Sequence, residues 1–139
     1  MKIATTVLET RNTVKNWRKE GYTVGLVPTM GFLHEGHASL IKKCREQNDK
    51  VVVSVFVNPT QFGPNEDLEA YPRDLEKDKA LCESLGADLI FHPEPSEMYK
   101  NPKTYMNIEG LSDNLCGKSR PIHFKGVCTV VSKLFNIVS

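Results

Sequence analysis

Val51-Val52-Val53-Ser54-Val55-Phe56-Val57 is a nearly continuous β-branched and aromatic run with a polar exit, Asn58-Pro59-Thr60-Gln61. Such a run suits a central parallel strand covered on both faces, because each side of the pleat then needs apolar side chains. Working outward, Thr23–Val27 reads as a second buried strand that Pro28 should stop, since proline cannot donate to a strand ladder. Ile3–Thr5 and Asp88–His92 read as short strands, and Thr104–Ile108 as one more, at an edge. Between them lie helical patterns. Thr6 and Glu9 have capping-box spacing before a helix over Val7–Lys19, which Gly21 ends. His37, Leu40, Ile41 and Cys44 share one face of a helix from His37 to about Gln47. Leu75, Asp78, Leu81, Cys82 and Leu85 run along another, from about Asp74 to Leu85, which Gly86 caps. Val127, Val130, Val131, Leu134 and Val138 form the stripe of a last helix from about Phe124, and Pro93–Pro102 reads as loop.

The resulting order, β-α-β-α-β-α-β, predicts a Rossmann-like α/β fold: a parallel sheet flanked by helices with right-handed crossovers. The 139 residues fit one domain, 1–139, with no internal repeat. The sequence ends as an apolar helix closes, where a doubly wound domain would return to its sheet, so the reading is of a polypeptide truncated before its last strand.

Bulk properties narrow the function classes. The chain is 40% hydrophobic and 25% charged with a net charge of +1, which argues against a broad nucleic-acid or anionic-lipid surface. No apolar stretch approaches the roughly 18 residues of a membrane span. The amino terminus lacks a signal peptide's apolar core, so the expected compartment is the cytoplasm. Cys44, Cys82, Cys116 and Cys128 lack the spacing of a zinc knuckle or redox motif and read as packing residues; a zinc site from Cys116, His123 and Cys128 is the weaker alternative.

Chemistry concentrates in Pro28-Thr29-Met30-Gly31-Phe32-Leu33-His34-Glu35-Gly36-His37, between a strand and a helix start. Open parallel sheets bind ligands at that edge. Backbone amides at a helix amino terminus favour anions by roughly 0.3–1 kcal/mol. Gly31 and Gly36 would allow phosphate close to the backbone, and two imidazoles three residues apart could donate to its oxygens. A zincin spacing fails because Ala38 follows His37, although a metal held with a distant third group stays open. The plainest alternative has His37 packing on its helix and His34 in solvent. After the next strand, Gln61 offers both donors and an acceptor to a hydroxy acid, where the alternative is a Pro- and Gly-rich turn. Cys116-Gly117-Lys118-Ser119-Arg120 is no phosphate loop, because Ser112 stands where the pattern needs glycine. Lys118, Arg120, His123 and Lys125 fit an anion-facing loop or a solvated basic one equally well.

Three segments, PTMGFLHEGH (28–37), VFVNPTQFGPNEDLEAYPRD (55–74) and SRPIHFKGVCTVVSKLFNIV (119–138), resemble the pantothenate synthetase family in order and spacing. The first is similar to the HxGH signature of nucleotidyltransferases and class I aminoacyl-tRNA synthetases; the other two narrow the match. The resemblance covers the chain from about Thr6 onward. It implies an ATP-dependent ligase that joins pantoate to β-alanine through a pantoyl adenylate, with magnesium accompanying the ATP and no metal ligand assigned among the side chains. By position, Met30, Gly31, Phe32, Leu33, His34, Glu35, Gly36 and His37 would contact ATP, with His34 and His37 on its phosphates and His37 the catalytic donor. Gln61 would hold pantoate and receive β-alanine, with Met30, Phe56 and Asn58 shaping the pocket. Tyr71 would lie in a flap, and Arg120 and His123 near the rim. The resemblance also implies a homodimer. Ile122 replaces a usual glycine and Asp74 a usual threonine. The family's following strand, lysine-bearing loop, second pantoate glutamine and small carboxyl-terminal domain with its KMSKS-like loop have no counterpart here, which predicts a chain inactive or nearly so by itself.

Overall fold

The computed structural model describes residues 1–59, 72–98 and 133–138. Four parallel strands, β1 (Lys2–Ala4), β2 (Val24–Thr29), β3 (Lys50–Val55) and β4 (Leu89–Phe91), form one sheet in the order β1-β4-β3-β2. Helices α1 (Val7–Lys19), α2 (Glu35–Gln47) and α3 (Leu75–Ser84) follow β1, β2 and β3, and a single turn, α4 (Pro95–Met98), follows β4. Residues 133–138 are also helical. The alternating parallel architecture expected from the sequence is present.

The core has two layers, and the run at 51–57 explains both. Val51, Val53 and Val55 point to one face, where they meet Leu33, Ile41 and Cys82 from the α2 and α3 side. Val52 and Phe56 point to the other, against Val14 of α1 and Leu134, Ile137 and Val138 of the last helical segment. Residues Val51, Val52 and Val53 have no exposed surface, as a strand sandwiched between helix layers requires. Gly25 of β2 lets α2 approach: a Cβ there would collide with the Cys44 sulfur and crowd Asn48, 2.6 Å away.

Several boundaries differ from the expectation, each for an identifiable reason. Pro28 does not stop β2, which continues to Thr29. The Thr23 and Thr29 carbonyls accept from Lys50 and Phe56 of the β3 side, so alternate residues 23, 25, 27 and 29 carry that ladder. Pro28 falls between them, and its missing N–H leaves no β3 bond unmade. Only half of the Thr6/Glu9 box forms. The Thr6 hydroxyl accepts from Glu9 N–H at 3.2 Å, whereas the Glu9 carboxylate turns to Lys2 at 3.5 Å. The Glu97 carboxylate from α4 accepts the Val7 N–H at 2.8 Å, so α4, inside a stretch read as loop, helps cap α1. Leu40, expected on the apolar face of α2, is 58% exposed, because Ile41 alone of that turn reaches the core. The strand read at Thr104–Ile108, the first part of the helix read from Phe124, and Cys116 and Cys128 lie outside the described residues. No helix among the described residues is long and apolar enough to cross a membrane.

Candidate nucleotide site at the carboxyl edge of the sheet

Residues that leave β2, β3 and β4 converge with the start of α3 on one cavity of about 420 Å³. Met30, Gly31 and Phe32 come from the β2 exit, Phe56 and Val57 from the β3 exit, and His92 and Glu94 from the β4 exit. Leu75 and Asp78 of α3, with Arg73 and Asp74 just before it, close the cavity. A cavity of this size at the carboxyl ends of parallel strands is where α/β proteins bind small ligands.

The loop from Met30 to His34 is built by unusual backbone. Gly31 has φ +81° and Phe32 φ +51°, two left-handed residues in succession. For a side chain as large as Phe this costs roughly 1–2 kcal/mol and survives only when other contacts hold it. Asp78, 2% exposed, provides them: its Oδ2 accepts from Phe32 N–H and its Oδ1 from Leu33 N–H, each at 2.8 Å. A Cβ on Gly31 would stand 3.0 Å from Val55 and 3.2 Å from the same carboxylate, so this position needs glycine for space as well as for φ.

The two histidines then cap α2 together. His34 is the N-cap in extended conformation, and its Nδ1 accepts from Gly36 N–H at 3.0 Å. His37 reaches back, and its Nδ1 accepts from His34 N–H at 3.1 Å. The rings lie 4.1 Å apart, tilted by 46°. An Nδ1 that accepts carries no proton, so each neutral ring keeps its proton on Nε2, on the opposite edge. Two N–H donors therefore stand side by side at the helix end. Burial and the adjacent His34 depress the pKa of His37, and the Asp78 charge opposes them in part. His37 is half-buried but pairs with His34, so neither the plain packing role nor a helix beginning at His37 holds.

This geometry corrects the roles read from the sequence for backbone and glycine. The amides of Gly31, Phe32, Leu33, His34 and Gly36 already donate to Thr29 Oγ1, Asp78, Asp78, His37 and His34. Three are committed inside the loop and its helix cap and two to Asp78 of α3, so these five do not present themselves to phosphate. Gly36 serves the His34 ring instead: a Cβ would come within 2.8 Å of its Cε1.

Of the other residues singled out, Met30 and Phe56 line the cavity. Asn58 is fully buried beyond β3. Glu35, exposed, opens α2. Gln61, Tyr71, Arg120 and His123 lie outside the described residues. Two residues of the site gave no functional signal in the sequence. Asp78 was visible only as a lone carboxylate in the apolar stripe of α3, which by itself demands a buried partner. His92 follows β4, and its Nδ1 donates to the Val55 carbonyl at 2.9 Å, which pins its ring in the cavity wall.

These features define an open parallel α/β protein with paired imidazoles capping the helix at the carboxyl edge of its sheet. Comparison with known proteins narrows that class. A family model described as Pantoate-beta-alanine ligase matches residues 2–139, and the chain belongs to that family. It is 59% identical to a pantothenate synthetase of Clostridium botulinum (strain Loch Maree / Type A3), over all of this chain and 50% of the relative. With a pantothenate synthetase of Ruminiclostridium cellulolyticum the identity is 65% over the same shares. The pantothenate synthetase structure from Thermus thermophilus superposes with a TM-score of 0.91 at 48% identity, over 99% of this chain and 49% of that one. The Francisella tularensis ligase, complexed with beta-gamma ATP and beta-alanine, gives a TM-score of 0.92 at 42% identity, over 99% and 53%. The chain spans about half the length of the curated relatives it matches.

Proposed function

We propose that this chain, residues 1–139, is the ATP- and pantoate-binding domain of a ligase that condenses pantoate with β-alanine. The pantoate carboxylate attacks the α-phosphorus of ATP and pyrophosphate leaves; the β-alanine amine then attacks the acyl carbon of pantoyl adenylate and AMP leaves. The observation that carries this reading is the reciprocal His34–His37 cap, which sets two Nε2–H donors at the start of α2, directly after the residues Met30, Gly31 and Phe32 that line the cavity. Donors fixed before the reaction stabilise charge that moves onto phosphate oxygens without having to reorganise. His37 is the donor to the displaced phosphates and His34 its partner. A depressed pKa suits that role, because the neutral ring keeps its Nδ1 bond to His34 and donates from Nε2. Magnesium bound with ATP supplies charge neutralisation on the triphosphate.

Gln61 holds pantoate and helps receive β-alanine, with Met30, Phe56 and Asn58 shaping the pocket. Tyr71 lies in a flap, and Arg120 and His123 at the rim. The Francisella relative, complexed with a nucleotide and β-alanine, supports the two-substrate reading. The domain pairs as a homodimer in the cytoplasm, and the chain by itself is inactive or nearly so. A monomeric mass at micromolar concentration would contradict the pairing.

The deciding experiment is calorimetric titration of pantoate into the chain, with and without Mg-ATP, beside Gln61→Ala. Saturable binding that vanishes in the variant supports the ligase reading. The second reading, an HxGH nucleotidyltransferase acting on a phosphorylated substrate, shares the histidine cap and needs no carboxylate pocket. Binding of phosphopantetheine with no binding of pantoate would replace the first reading with the second.

A further inference from the structure

The histidine loop is not held by its own sequence. Its two left-handed residues leave the Phe32 and Leu33 N–H groups adjacent and pointing the same way, the kind of amide nest that binds anions. In this protein the nest is filled by the Asp78 carboxylate, one oxygen per amide at 2.8 Å. Asp78 reaches it from the first turns of α3, which Asp74 caps by accepting Lys77 N–H at 3.2 Å. The carboxylate is 2% exposed, and both bonds are charge-assisted, so little water competes for these amides.

Immediately downstream, His34 must adopt the extended N-cap conformation for its ring to accept from Gly36 and for His37 to accept from its amide. The turn at 31–33 sets where that cap begins. Asp78 touches neither ring by hydrogen bond, yet it is close enough for its charge to act on His37.

We propose that Asp78 is the positioning residue of the site: by filling the Phe32–Leu33 nest it holds the left-handed turn and thereby fixes the Nε2 edges of His34 and His37 for nucleotide phosphate. The proposal rests on the functional reading only for the identity of that phosphate; the placement of the rings stands without it. It also assigns the nest to the protein's own carboxylate and leaves the imidazoles as the loop's anion-binding groups.

The test uses the 139-residue chain with Asp78→Asn, which keeps the shape and opposes an NH₂ group to one amide. Cys82→Ala, one turn along the same buried side of α3, is the control for loosened packing. In the ligand-free chain, nitrogen chemical shifts read the imidazole tautomers and hydrogen exchange reads the Phe32 and Leu33 amides. Expected in Asp78→Asn are loss of protection at both amides and a shift of both rings from the Nε2–H form to a mixture. Mg-ATP affinity should fall roughly tenfold or more, the effect of one misplaced charge-assisted bond. Cys82→Ala should keep all three. If Asp78→Asn does not fold, it is made in Phe32→Gly, where the left-handed turn needs less holding. It is then read against Phe32→Gly alone, with the same direction of change expected at the amides and both rings. Unchanged tautomers and affinity in Asp78→Asn, in whichever background folds, or the same losses in Cys82→Ala, would overturn the proposal. An unmodified chain that fails to bind Mg-ATP would defeat the functional reading, and the ligand-free tautomers would still decide the role of Asp78.

Discussion

Replacing Gly36 by alanine should separate stability from nucleotide binding. The added carbon would sit 2.8 Å from His34 Cε1 and 3.1 Å from its Nδ1, inside the distance two such atoms tolerate. The ring must swing away, and its bond to Gly36 N–H, 3.0 Å in the native protein, is lost. Losing an N-cap costs about 0.5–2 kcal/mol, while alanine in place of glycine within a helix returns up to about 0.8–1.0 kcal/mol. The net change in stability is therefore within about 1 kcal/mol, and the melting temperature should move by no more than about 5 °C. Binding has no such compensation. On the proposed function, a displaced His34 forfeits one charge-assisted bond to phosphate, about 1.5–3 kcal/mol, or roughly 10- to 150-fold in affinity. Calorimetry with Mg-ATP and a thermal melt on the same preparation measure both quantities. A Gly36→Ala chain that binds Mg-ATP as tightly as the parent would refute the assignment of the phosphate-binding edge to the His34 ring.

Ile41, which has no exposed surface and packs α2 on the sheet, should cost about 2–5 kcal/mol when cut to alanine, read as a fall in the urea midpoint. His37 gives the protein an acid-side weakness. Its folded pKa lies below the ordinary histidine value of 6.5, so the unfolded chain binds the proton first as pH falls. Its contribution to stability is complete above pH 6.5, is lost progressively as pH drops from there to the folded pKa, and is flat below that. His37→Gln should remove this segment from the curve of stability against pH; an unaltered curve would show that His37 is not the titrating group.

The parts of the fold that rest on short-range spacing were legible without coordinates. The run at 51–57 could be satisfied only by burial on both faces, and Val51, Val52 and Val53 have no exposed surface. The helix over Val7–Lys19 begins and ends where its threonine cap and terminal glycine place it. Boundaries failed where a partner from elsewhere intervened. Pro28 stays in its strand because of its phase relative to β3, and α1 is capped in part by Glu97, which is 90 residues away.

The candidate site divides along the same line. Its location follows from the sequence, because a strand followed by a glycine-bearing turn and a helix start brings His34 and His37 to the carboxyl edge of the sheet wherever the pattern occurs. What those residues can do was decided by tertiary structure. Spacing alone suggested free amides and glycines open to phosphate, but five of the loop's amides are consumed internally, two of them by a carboxylate 46 and 45 residues away. Hydrogen-bond partners separated this far along the chain leave no periodic trace in it. Periodicity placed Asp78 on the buried side of α3, and only the packing of α3 against the β2 exit made that buried charge the anchor of the histidine loop.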